Sequence, residues 1–262
     1  MRVGGIAIMF DIINNDEGLS RRQLITGAGK VAAGAALVGV CGSGIVTKAG
    51  ASTDADTYPW PYKKLDPAKT AAIAYENWYK GFCSYAVTSS IFSQLRESVG
   101  GPYKHLPLEA FNFAHGGTVG WGTLCGTLFG AGVVASFTMG KEGEKITNDM
   151  LAWYSDTELP IFKPENPKAT FKNVSKSDSP LCHVSVGKWM KKEGVAIGSP
   201  ERKDRCARLA ADVAYQTVVR LNEMADGKYT PVNGSQVKAY GITAQNNYTD
   251  CHGSNVPTPP GK

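Results

Sequence analysis

Apolar residues recur at helical intervals through most of the chain between residues 66 and 221, and no stretch carries a strong strand alternation. Asp66-Pro67 reads as an N-cap followed by proline at the first helical position, where the missing N–H of proline costs nothing. The helix predicted from there runs to about Glu97, with Ile73, Trp78, Phe82, Val87, Ile91 and Leu95 near one-face spacing, and Gly100-Gly101-Pro102 ends it. A short helix follows around Leu108–Ala114 before Gly116-Gly117 breaks the chain again. Residues 148–155 and 184–192 read as further short helices, separated by a long polar loop over residues 160–179. Ser199-Pro200 caps the last long helix, which lays Cys206, Leu209, Val213, Thr217 and Leu221 along one stripe. The predicted fold is mainly α, a helical bundle with long loops.

Two segments depart from this pattern. Residues 119–139 are apolar on most faces and carry many glycines. Glycine costs roughly 1 kcal/mol per helical site relative to alanine, so a buried central helix that admits close neighbours or a cofactor is expected there, with a membrane span as the alternative. From residue 226 the chain turns polar and gathers Pro257, Pro259 and Pro260 near its end. Such an extended C-terminal tail cannot bury a core by itself and needs a cofactor or partner subunit to order it.

The N-terminus suggests export. Ser20-Arg21-Arg22-Gln23-Leu24-Ile25 matches the twin-arginine pattern, a weakly apolar Gly/Ala/Val-rich stretch follows over residues 25–46, and Ala49-Gly50-Ala51 is a small-x-small cleavage site. An uncleaved anchor is the alternative, and a lipoprotein reading at Cys41 is weakened by the bulk of Val40. The organisation expected is a signal peptide over residues 1–51, a helical domain over 52–225 and a tail over 226–262, with a periplasmic or extracellular destination and no stable membrane span after cleavage. The net charge of +5 is spread without a basic stripe or interleaved aromatics, so nucleic acid is not an expected partner. Neither a G-x-S-x-G elbow nor a P-loop is present.

Removing the signal leaves Cys83, Cys125, Cys182, Cys206 and Cys251, an odd set that suits a disulfide framework poorly. The first four are far apart in sequence. Converging from a bundle they would suit an iron–sulfur cluster or tetrahedral zinc. Without a C-x₂-C pair, spacing alone favours thiols packed as small hydrophobes. The fifth lies in Tyr248-Thr249-Asp250-Cys251-His252, a C-x-x-C-H haem attachment run whose first cysteine is replaced by tyrosine. One thiol permits one thioether, with His252 as the proximal iron ligand. Ser179-Pro180-Leu181-Cys182-His183 repeats the incomplete run, and His105 and His115 flank the short helix after the glycine break.

Three segments together carry a family resemblance: Gly81-Phe82-Cys83-Ser84-Tyr85-Ala86-Val87, then residues 116–126 with Trp121 and Cys125, and Ser179–His183 through Arg205-Cys206 to Ala214. They resemble the C_GCAxxG_C_C redox proteins and, among these, the split-Soret cytochromes c, over about residues 67–252. The resemblance implies an exported helical homodimer with bis-histidine c-type haem near its interface. It also implies an iron–sulfur cluster, [2Fe–2S], on Cys83, Cys125, Cys182 and Cys206, which reverses the reading from spacing. Complete C-x-x-C-H motifs are missing, so one covalent haem per chain is expected. The expected function is electron transfer to and from redox partner proteins, with His115, then His183 and His105, as candidates for the distal ligand, supplied within the chain or by the partner subunit. Rival readings are a haem-free iron–sulfur or metal-binding protein, a redox enzyme using Cys83 or Cys182 as a thiol nucleophile, and a purely structural helical protein.

Overall fold

The structure, a computed structural model, describes residues 58–232. The twin-arginine segment, Cys41, Cys251 and His252 lie outside the described residues. Five α-helices dominate those described: α1 Pro67–Ser98, α2 Gly126–Met139, α3 Gly143–Asp156, α4 Cys182–Glu193 and α5 Pro200–Ala225. Short 3₁₀ turns at Gly101–His105 and Leu108–Phe111 follow α1. The sheet content is a two-residue antiparallel ladder, β1 Glu158–Leu159 against β2 Ser175–Lys176, with Leu159 opposite Ser175. The fold is mainly α, as the apolar periodicity predicts.

The caps set the helix starts. The Asp66 carboxylate accepts from the Ala68 and Lys69 N–H groups at 2.8 and 3.1 Å, and the Ser199 hydroxyl accepts from the Arg202 N–H at 3.1 Å. The two long helices, α1 and α5, pack against each other, and α2 is laid across both and against α3. Fully buried alanines on both long helices, including Ala74, Ala86, Ala207, Ala210 and Ala214, leave room for a close approach. The stripe Cys206, Leu209, Val213, Thr217 and Leu221 is buried along its whole length. A polar tie locks the pair: Asp204 of α5, fully buried, accepts from the Tyr75 and Tyr79 hydroxyls of α1 and from Arg208 one turn on.

The short helix expected around Leu108–Ala114 is a 3₁₀ turn over Leu108–Phe111, and two larger expectations change as well. The stripe drawn along α1 fails at Phe82, whose φ of 63° and ψ of −155° break the helix. Gly81 lies so close to the Tyr85 ring that a Cβ there would meet it at 2.4 Å. The chain can turn at this point only because glycine precedes Phe82, and Phe82 swings outward to 46% exposure. The glycine-rich helix, expected from Val119, begins at Gly126. Residues 116–122 instead form a loop with left-handed backbone at Gly116, Gly117, Thr118, Val119, Gly120 and Gly122, and Trp121 stands 82% exposed. The 14-residue α2 is about 21 Å long. No helix among the described residues is long and apolar enough to cross a membrane.

The first residues of the expected tail fold back on the bundle. The Tyr229 hydroxyl and the Val232 N–H both donate to Asp149 of α3, at 2.5 and 2.9 Å. The rest of the tail lies outside the described residues.

Candidate functional site

Local backbone pairing brings two cysteines side by side. The Cys125 N–H donates to the Pro180 carbonyl at 3.0 Å, the Cys182 N–H to Thr123 at 2.7 Å and the His183 N–H to Gly122 at 3.1 Å. Cys125 thereby becomes the cap residue of α2 and Cys182 the first residue of α4. Both thiols stand at helix N-termini, where unpaired N–H groups favour negative charge. The Phe82 kink places Cys83 at the start of the second half of α1. Cys206 comes from the early turns of α5. All four are buried and free of disulfides.

Glycines set how closely these elements meet. A Cβ on Gly126 would lie 1.7 Å from the Ala114 carbonyl oxygen and 2.9 Å from the Cys83 Cβ. Gly122 adopts a φ of +74°, and a Cβ there would stand 2.9 Å from the His183 Cβ. Cys83 and Cys182 each fall within electrostatic reach of the other three thiols. Burial pushes Cys83 up to about 12, helped by Cys125 and Cys206. Burial also raises Cys182, with Cys125, Cys83 and Cys206 adding to it. Without metal, Cys83 and Cys182 hold their protons at neutral pH and are poor nucleophiles, whereas a bound metal favours the thiolate. Among the described residues, no three His, Cys, Asp or Glu side chains converge closely enough to hold a single metal ion.

Cys83, Cys182 and Cys206 share a cavity of about 600 Å³ with His115 and His183. Its walls are mostly apolar, from Trp78, Phe82, Val186, Met190 and Ile197, and Arg202 and Lys203 bring positive charge to it. His105 does not line this cavity; it lies exposed at the end of the first 3₁₀ turn. The structure therefore gathers the four cysteines and two of the candidate histidines. It leaves His105 apart, and Cys251 and His252 are outside the described residues.

A polar group behind the thiols escapes sequence reasoning. Arg205 is 1% exposed; its Nη2 donates to the Ser185 hydroxyl at 2.8 Å, while Nε and Nη1 meet no oxygen or nitrogen acceptor and the Cys206 thiol stands beside the guanidinium. The fully buried Tyr154 hydroxyl donates to the same Ser185 oxygen at 2.9 Å. Burial raises Tyr154 well above the ordinary tyrosine range, and Cys125 raises it further. Burial works against the Arg205 cation, but Cys206, Tyr154 and Cys125 more than offset it, leaving its pKa above the usual arginine value. The one signal in the sequence is an arginine placed beside Cys206 at the start of the apolar stripe.

Comparison with known proteins fits this arrangement. The family profile "Putative redox-active protein (C_GCAxxG_C_C)" matches residues 82–219, a span holding all four buried cysteines. Split-Soret cytochrome c of Desulfovibrio desulfuricans is 37% identical over 222 residues, covering 79% of each chain. A solved structure of the split-Soret cytochrome c from Desulfovibrio desulfuricans, reported for a novel iron centre, superposes with a TM-score of 0.64 at 31% identity. It covers 76% of this chain and 91% of that one. The chain belongs to the C_GCAxxG_C_C redox-active family and, within it, to the split-Soret cytochromes c.

Proposed function

We propose that this redox protein is an exported electron carrier with two kinds of iron site. A c-type haem is attached through a single thioether at Cys251, with His252 as proximal ligand and His115 or His183 as distal ligand. A [2Fe–2S] cluster is held by Cys83, Cys125, Cys182 and Cys206. The observation that carries this reading is the common cavity: three of the four buried thiols share a wall with two imidazoles in an apolar space of about 600 Å³.

The residues present fit both groups. Buried thiols within electrostatic reach of one another suit an iron–sulfur group. The buried thiols and the Arg205 N–H groups that meet no oxygen or nitrogen acceptor form a donor set for an anionic sulfur-rich occupant. For haem, the apolar walls exclude water, His115 and His183 offer imidazole nitrogens, and Arg202 and Lys203 offer charge to carboxylates. Either group supplies one-electron chemistry when bound. The protein's part is to fix ligand geometry, keep water out and hold the centres close. The Desulfovibrio relative is named as a cytochrome c and described with an iron centre, which supports both assignments.

The twin-arginine segment supports passage to the periplasm, and a homodimer is a natural way to order a polar tail that carries a haem. Tyr248 in place of the first haem cysteine favours a second reading, a haem-free iron–sulfur protein. The high pKa of Cys83 counts against a thiol enzyme. Iron, haem and acid-labile sulfide per chain, measured on protein matured with its export signal intact, test the proposal. Haem together with iron in excess of haem and matching sulfide is the expected result. A correctly matured sample without a Soret band would leave the haem-free reading standing.

A further inference from the structure

Arg205 makes no ion pair among the described residues, although the buried Asp212 carboxyl lies within electrostatic reach of it. It is fully buried, and Ser185 accepts from just one of its nitrogens. The acids near it on α5 are already engaged. Asp204 accepts from Tyr75, Tyr79 and Arg208, and Asp212 accepts from the Ile161 and Phe162 N–H groups at 2.8 Å each. The Trp189 ring lies 6.0 Å from the guanidinium carbon, which offers a π face in place of a counter-ion. A buried cation with two nitrogens that meet no oxygen or nitrogen acceptor is costly unless something anionic completes it. Cys206, Tyr154 and Cys125 are the groups that act on it most strongly.

We infer that Arg205 is the built-in counter-charge of the group held by the four cysteines, with Nε and Nη1 donating hydrogen bonds to its sulfur atoms. This rests on the cluster reading above and adds a residue that tunes the site without ligating it. The planar guanidinium presents several donors in a fixed fork, so it can bond sulfur with two nitrogens while Ser185 holds the third. Its charge matters most on reduction. Each electron entering the cluster adds one negative charge in a low-dielectric setting, and a fixed cation beside it favours that state. Arg205 therefore raises the midpoint potential, and Ser185 and Tyr154 position it.

The test compares wild type, Arg205→Lys and Arg205→Met, each purified with its iron centres loaded. Iron and acid-labile sulfide are measured first. Electron paramagnetic resonance then follows a dithionite titration, in which dithionite supplies the one electron that each cluster accepts. Arg205→Met at wild-type stoichiometry is expected to titrate at a lower potential with altered g values. Arg205→Lys is expected to fall between Met and wild type, while the haem Soret band stays unchanged in all three. Unaltered potential and g values in a loaded Arg205→Met protein overturn the inference. If the Met variant does not load, Lys decides: loading with shifted g values supports the role, and loading with wild-type g values overturns it. Loss of iron from both variants also overturns it, because a counter-charge kept as lysine must still permit loading. Wild-type protein lacking sulfide would refute the cluster reading itself, a result distinguishable from loaded variants that behave as wild type.

Discussion

Gly126 and Ala114 meet so closely that a single added carbon on Gly126 would sit 1.7 Å from the Ala114 carbonyl oxygen. That contact seats the first turn of α2 against the segment leading to His115, and the same missing side chain leaves room for the Cys83 Cβ. Gly126→Ala must push these elements apart. Overpacking costs about 1–3 kcal/mol, and a clash with backbone belongs at the upper end. Chemical denaturation of the variant is expected to show that loss, and iron content is expected to fall with it because Cys83 and Cys125 are moved. At Gly187, where an added Cβ meets nothing within 4 Å, the same substitution is expected to cause no such loss.

The same pair shows where sequence reading stops. Asp66-Pro67 and Ser199-Pro200 announce helix starts through local chemistry, and the structure caps both helices at those residues. The stripe from Cys206 to Leu221 is equally local, and it is buried as spacing requires. The Phe82 kink depends on Tyr85 and Asn112 crowding Gly81, and Asn112 lies beyond the end of the helix. Glycines in residues 116–122 suit a tight helix contact or a left-handed loop equally well until α2 and α4 are in place. Convergence of four cysteines from separate elements has no spacing signature, so the family resemblance carried it. Arg205 stayed hidden because arginine on a helix usually reaches water.

His115 and His183 share the cavity with three thiols, whereas His105 does not. One of His115→Ala and His183→Ala is expected to convert the haem from a six-coordinate low-spin form toward a high-spin one, because the distal ligand is lost. His105→Ala is expected to leave the spectrum as in wild type. A low-spin spectrum lost only in His105→Ala would transfer the distal role to that residue.

Gly187 lies one turn after His183 on α4 and lines the cavity, and a Cβ added there would meet nothing within 4 Å. Gly187→Ala is expected to strengthen the helix by up to about 1 kcal/mol through propensity. Gly187→Leu is expected to retain the fold while filling the cavity. Haem content or the Soret spectrum should then change although stability does not fall. Unchanged haem in a folded Gly187→Leu protein would place the haem elsewhere.

The thiols predict a pH response in metal-free protein. Cys83 rises from an ordinary 9.0 to about 12 in the fold because burial disfavours its thiolate. The unfolded chain therefore releases this proton first. Between pH 9 and about 12 the folded state holds more protons than the unfolded one, so stability falls as pH rises through that window. Below pH 9 both states keep the proton and the effect disappears. Stability of the chelated protein is expected to decline above pH 9, and Cys83→Ser is expected to reduce the slope. Alkylation of Cys83 at pH 8 should be slow in the folded chelated form and fast in denaturant. Rapid labelling of folded protein at pH 8 would revive the thiol-enzyme reading.

Haem attachment is decided by mass. Addition of one thiol across one vinyl group forms one thioether, and a covalent bond survives denaturation where histidine ligation does not. Cys182 is the alternative attachment point, since His183 follows it just as His252 follows Cys251. Cys182, however, is packed at the first turn of α4 with its N–H bonded to Thr123, beside three other thiols. Attachment there would remove a ligand from the cluster. Denatured mature protein is therefore expected to keep one haem mass, Cys251→Ser to release it, and Cys182→Ser to keep it while losing cluster iron. Haem retained in Cys251→Ser and lost in Cys182→Ser would reverse the assignment and reduce the cluster to three thiolates.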